Sequence, residues 1–147
     1  IHEMGLGVKF QLGTYEPERF FALAKGHEAE PEGGERCFKC YRLRLEEAAR
    51  AAKAGGFSYF TTTLSISPHK NAQVLNELGK EISDTFGVPY LYSDFKKKNG
   101  YRRSCELSTE YHLYRQDYCG CPFSKAEAEE RKRRVQACAT HTKERKS

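Results

Sequence analysis

The sequence predicts an α/β fold built on a parallel sheet, and two patterns predict it. Short runs rich in β-branched and aromatic residues, at 8–12, 57–64 and 88–92, alternate with longer stretches whose apolar residues recur at helical spacing. Glycine or proline marks most of the changes between them. The chain of 147 residues makes one domain and is long enough to bury a real core. It is 38% hydrophobic, its mean hydropathy is −0.78, and it shows neither an apolar run of membrane-spanning length nor a secretory leader. A soluble, cytoplasmic protein with no membrane partner is expected. In such sheets ligands bind beyond the carboxyl ends of the strands.

The elements follow in order. Residues 1–5 read as a helix end with a glycine stop, so the sheet is expected to lack its first strand. Residues 8–12 alternate apolar and polar and read as a short strand closed by Gly13. Pro17 opens a helix to about Lys25, with Phe20, Phe21, Leu23 and Ala24 on its apolar face. An acidic, glycine-containing linker follows, and from Cys37 a helix carries Leu45, Ala48, Ala49 and Ala52 to the Gly55-Gly56 stop. Residues 57–64 read as a strand. Ser67 then suits an N-cap and Pro68 a first helical position, which places His69 and Lys70 on the first turn of a helix carrying Leu75, Leu78, Ile82 and Phe86. Residues 88–92 form the next strand, residues 94–103 a basic loop, and residues 104–112 a helix. The domain is expected to span residues 1–124, and residues 125–147 a charged tail, helical and then disordered.

Chemistry concentrates at two cysteine pairs. Cys37 and Cys40 sit at i and i+3 on a helix's first turn, so both thiols share a face. The dipole and free N–H groups of that turn favour thiolate and should lower thiol pKa values. Cys119 and Cys121 flank Gly120 on a tight turn far along the chain. Two close-spaced pairs suggest four thiolates on one metal centre in a reducing cytosol, without naming the metal. Cys105 reads as a packed thiol, and Cys138, in the charged tail, is not expected to be a ligand. Ser67, His69 and Lys70 at a helix start could form a phosphate or carboxylate site; an ordinary capped helix is the alternative. The net charge of +5 is modest, but Lys96, Lys97, Lys98, Arg102 and Arg103 cluster with Phe95 and Tyr101, a pattern suited to phosphates and stacked bases. A solvated loop is the alternative there.

Four stretches are similar, in order, to motifs of the QueH-type epoxyqueuosine reductases. They are Glu32-Gly-Gly-Glu-Arg-Cys-Phe-Lys-Cys-Tyr-Arg-Leu-Arg-Leu45, Phe60-Thr-Thr-Thr-Leu-Ser-Ile-Ser-Pro-His-Lys-Asn71, Asp94-Phe-Lys-Lys-Lys-Asn-Gly-Tyr101 and Tyr114-Arg-Gln-Asp-Tyr-Cys-Gly-Cys121. The resemblance implies a HUP-like (adenine nucleotide alpha hydrolase-like) sheet with flanking helices. It also implies a cobalamin-independent enzyme that reduces epoxyqueuosine to queuosine at the tRNA wobble position. Its cofactor would be a 4Fe-4S cluster with additional iron nearby. At the family's cysteine positions stand Cys37, Cys40, Cys119 and Cys121. The family's N-terminal strand and its loop of adjacent cysteines match nothing in the chain. Asp117 is a candidate to ligate iron or orient a ligand, with a turn-capping role as the alternative. His69, Tyr41 and Tyr118 are candidate proton donors. Lys70 and the basic loop would hold the anticodon stem-loop, and a reduced flavodoxin or ferredoxin would supply electrons. Two rivals stand beside this reading. One is an RNA-binding module with structural zinc, and the other an ATP-using tRNA-modifying enzyme of the same broad fold.

Overall fold

Five α-helices and one 3-10 turn make up the regular structure of the computed structural model, which describes residues 4–144, with side chains to residue 136. Helix α1 (Pro17–Ala24) starts on a proline, where a missing N–H costs nothing, and Arg19 reaches back to Glu16 at 2.8 Å. Helix α2 (Glu35–Ala54) buries Cys37, Tyr41, Leu45, Ala49 and Ala52, a stripe that keeps the helical period. The chain leaves it where Gly55 N–H bonds the Ala51 carbonyl at 2.9 Å.

Helix α3 (Ala72–Phe86) packs most extensively against α2, adding Leu75 and Ile82 to the core with Phe60, Val88 and Tyr90. Leu45, Leu75 and Ile82 are fully buried, each contributing roughly 1.5–3 kcal/mol of apolar transfer. Asn71 caps α3 by accepting from Gln73 N–H at 3.0 Å and Val74 N–H at 3.2 Å. Gly79 lets the Tyr90 ring approach so closely that a Cβ would lie 2.5 Å from it. Helices α4 (Gly100–Glu110) and α5 (Pro122–Glu144) complete the chain. Among the described residues no helix is long and apolar enough to cross a membrane.

The expected parallel sheet, and with it the HUP-like architecture, is not what the structure shows. Among the described residues there is no strand, and pairing is limited to one parallel bridge between Phe60 and Tyr90. Phe60 N–H bonds Pro89 O at 3.0 Å, and Leu91 N–H bonds Phe60 O at 2.9 Å. Local bonds stop the ladder on both sides. Phe57 N–H still belongs to the end of α2, bonding Ala52 O at 2.9 Å, and Thr62 Oγ1 accepts from Leu64 N–H at 3.2 Å to start the 3-10 turn at Thr63–Ile66. Residues 8–12 form no strand either. Val8, Phe10 and Leu12 are exposed, because alternation alone supplies no partner for the backbone.

Two boundaries also move. The helix expected from Pro68 begins at Ala72, since Asn71 takes the capping role and Ser67 Oγ only closes a turn with His69 N–H at 3.3 Å. The helix expected from Ser104 begins at Gly100, after Lys98 and Asn99 turn through positive φ, so Tyr101, Arg102 and Arg103 lie on its first turn.

Candidate functional site

The first turn of α2 is built by an unusual cation. Arg36 is only 2% exposed, although a positive charge at a helix N-terminus opposes the helix dipole. Its guanidinium is held by the carbonyls of Glu28 at 2.9 Å, Glu30 at 2.5 Å and His27 at 3.2 Å. It also pairs with Glu127 of α5 at 3.2 Å and lies over the Phe123 ring, 4.6 Å from its centroid. The Glu30 carboxylate caps the helix by accepting from Arg36 N–H at 2.9 Å. One residue thus joins the linker, α2 and the start of α5.

That junction sets the two cysteine pairs around one cavity. Cys37, Cys40, Cys119 and Cys121 all line a space of about 370 Å³, closed on another side by Tyr15, Phe20 and other residues of the α1 region. The Cys37 sulfur accepts from Gly33 N–H at 3.3 Å and the Cys121 sulfur from Ser124 N–H at 3.4 Å. Buried Ser124 also accepts from Cys119 N–H at 2.7 Å, which fixes the turn about Gly120, whose φ of 78° suits glycine. All four thiols are free. Burial pushes the Cys40 thiol up from its ordinary pKa, with Arg44 pulling it the other way; the lowering expected from the helix dipole does not prevail there. Tyr41 is pushed up to about 12, chiefly by burial.

Lys70 is the residue whose place differs most from the RNA-contact role the sequence suggests. It is 6% exposed, and its ammonium bonds Glu32 at 2.6 Å and lies 5.9 Å from the Tyr41 ring centroid. Burial works against its charge, but Cys119 and Glu32 outweigh that, and its pKa is raised.

The remaining candidates lie apart from the cavity lining. His69 is exposed on the turn before α3. Asp117 is exposed and paired with Lys132 at 2.7 Å, which holds its carboxyl below the usual range. Tyr118 is half-buried, its carbonyl accepting from Gln116 at 3.0 Å. The basic loop is largely paired with its own acids. Lys96 and Lys97 reach Asp94 at 3.0 and 3.8 Å, while Arg102 and Arg103 reach Glu106 at 3.1 and 3.3 Å. Lys98 and Tyr101 are exposed. The Cys138 side chain lies outside the described residues.

Sequence reasoning missed Arg36, Glu127 and Ser124. A signal existed for the first, since a cation at a helix start calls for a particular partner. None existed for Glu127, which is one of many charges in the tail.

In donor type the site fits an iron–sulfur group: four sulfurs on one cavity. Among the described residues, however, no group of three or more His, Cys, Asp or Glu side chains is arranged to hold a metal ion. A tetrahedral zinc holds each sulfur at about 2.3 Å, which crowds the four together.

A family model described as epoxyqueuosine reductase QueH matches residues 2–127. The chain belongs to this family. A relative named epoxyqueuosine reductase QueH from Staphylococcus epidermidis is 46% identical over 125 residues, covering 84% of this chain and 52% of the relative. Another of that name from Streptococcus pyogenes serotype M1 is 47% identical over 120 residues, covering 82% and 47%. A third, from Thermotoga maritima, is 34% identical over 131 residues, covering 88% and 68%. The chain therefore spans about half the length of the first two relatives.

Proposed function

We propose that the protein acts in the reduction of epoxyqueuosine to queuosine in tRNA, with a 4Fe-4S cluster held by Cys37, Cys40, Cys119 and Cys121. Membership of the QueH family supports the reaction. The observation that carries the cofactor is the gathering of both cysteine pairs, about 80 positions apart in the chain, onto one cavity. A cluster bound there supplies electrons one at a time. Converting the epoxide to an alkene takes two electrons and two protons and releases the oxygen as water.

The chain's own residues do the rest. Arg36 and Ser124 fix the cysteine turns. Phe20 of α1 and Tyr15 just before it line the cavity and offer their rings to a planar base. Tyr41 lines the same space, and burial pushes its pKa up to about 12, which makes its phenol a candidate proton donor. The tRNA anticodon loop is the expected partner, with Lys96, Lys97 and Lys98 as candidate phosphate contacts. Further iron near the cluster and a reduced flavodoxin or ferredoxin as donor complete the proposal.

The test is anaerobic reconstitution with iron and sulfide, followed by incubation with tRNA containing epoxyqueuosine and a chemical reductant. The expected result is a brown protein with charge-transfer absorption and conversion of the nucleoside to queuosine. A colourless protein that binds zinc and leaves the nucleoside unchanged would refute the reading.

A further inference from the structure

Burying an ammonium is costly unless anions surround it, and Lys70 is buried to within 5% of its side-chain surface. The groups around it come from three separate parts of the chain. Glu32 of the linker bonds it at 2.6 Å, Tyr41 of α2 presents its ring at 5.9 Å, and Cys119 of the Gly120 turn acts on its charge. Neither Lys70 nor Glu32 is among the residues that line the cavity, whereas Tyr41 and Cys119 are. Glu32 is further tied to α5 through its N–H, which bonds Glu127 at 3.3 Å. The result is a buried ammonium that is ion-paired with Glu32 and interacts electrostatically with one of the four cysteines.

We infer that the Lys70–Glu32 pair is a positioning device that sets the reduction potential of the group bound through Cys119. This rests on the cluster reading above. Reduction adds negative charge to the bound group, and charge and hydrogen bonding at the ligand sulfurs tune iron–sulfur potentials. Lys70 stabilises the reduced state and raises the potential, whereas Glu32 opposes it. The two residues therefore carry opposite signs of effect, which packing alone would not produce.

The experiment is a redox titration of the reconstituted protein, followed by its visible spectrum, for wild type, Lys70→Met, Lys70→Arg and Glu32→Gln. Lys70→Met is expected to shift the midpoint to lower potential and Glu32→Gln to higher, with iron content unchanged. Lys70→Arg should stay near wild type because it keeps the charge. Unchanged midpoints, or shifts of the same sign in Lys70→Met and Glu32→Gln, would overturn the inference. Should Lys70→Met fail to assemble a cluster, recovery by Lys70→Arg would support a charge role and failure of both would refute it. A wild-type protein that assembles no cluster would refute the cofactor reading itself, and the inference with it.

Discussion

Replacing Arg36 by Met removes the junction between the linker, α2 and α5 while keeping much of the side-chain volume. Three carbonyls and one carboxylate lose their donor. Removing one partner from a buried charged network costs about 3–5 kcal/mol. Two features argue for the lower part of that range. Glu127 is 40% exposed, so water can replace part of its lost pairing. Arg36 Nε is buried with no hydrogen-bond partner among the described residues, a penalty that the substitution removes. A loss of about 3 kcal/mol is therefore expected. Urea unfolding followed by circular dichroism measures it, and Arg36→Lys should recover only part because an ammonium cannot serve the same fork of acceptors. The same variant should hold less iron after reconstitution, since Phe123 and Glu127 anchor the segment that follows Cys121. A loss below about 1 kcal/mol, the range of a surface pair, would show that Arg36 does not hold this junction.

Three further outcomes are expected. Ala at Cys37, Cys40, Cys119 or Cys121 should each reduce the iron bound after reconstitution, measured by elemental analysis, while Cys105→Ser should not; iron loss confined to Cys105→Ser would overturn the ligand set. Changing Lys96, Lys97 and Lys98 together to Ala should flatten the salt dependence of tRNA binding by roughly 0.7–0.9 for each phosphate no longer neutralised. Because Lys96 and Lys97 already share Asp94, an unchanged slope would mean that the loop is only solvated. Gly79→Ala should destabilise by about 1–3 kcal/mol by overpacking against Tyr90, despite the roughly 1 kcal/mol that alanine gains in a helix. A variant more stable than wild type in thermal melts would show that the ring moves aside freely.

What the sequence disclosed depended on how local each cause was. The stripes of α2 and α3 were legible because one amphipathic period runs through each and both end at glycine. The cysteine pairs were legible as chemistry because their spacing alone puts two thiols on one turn. The sheet was not, because strand propensity describes one segment and a ladder needs two. Residues 57–64 satisfied the first condition, but the end of α2 and the Thr62 hydroxyl took the backbone groups that a ladder would have used. The start of α3 was misplaced for a similar reason. Ser67-Pro68 and Asn71 both look like helix starts, and Asn71, with two N–H groups in reach, prevails.

Lys70 shows why that small shift matters. On the first turn of a helix it would point toward solvent and suit a phosphate. In the turn before Asn71 it is carried inward, where Glu32, Tyr41 and Cys119 converge on it from positions no local pattern relates. Its partner Glu32 alone could neutralise it, and a neutral pair of apolar residues would fill the same space at less electrostatic cost. A buried ion pair that interacts with a cysteine is therefore better explained by its effect on that sulfur than by stability. Arg36 supports the same logic from the other end of the motif. It is also buried and charged, but its acceptors are three carbonyls and the Glu127 carboxylate of α5, and its effect is to hold chain segments together. Of Arg36 and Lys70, one fixes where the cysteines stand and the other sets the charge that Cys119 feels.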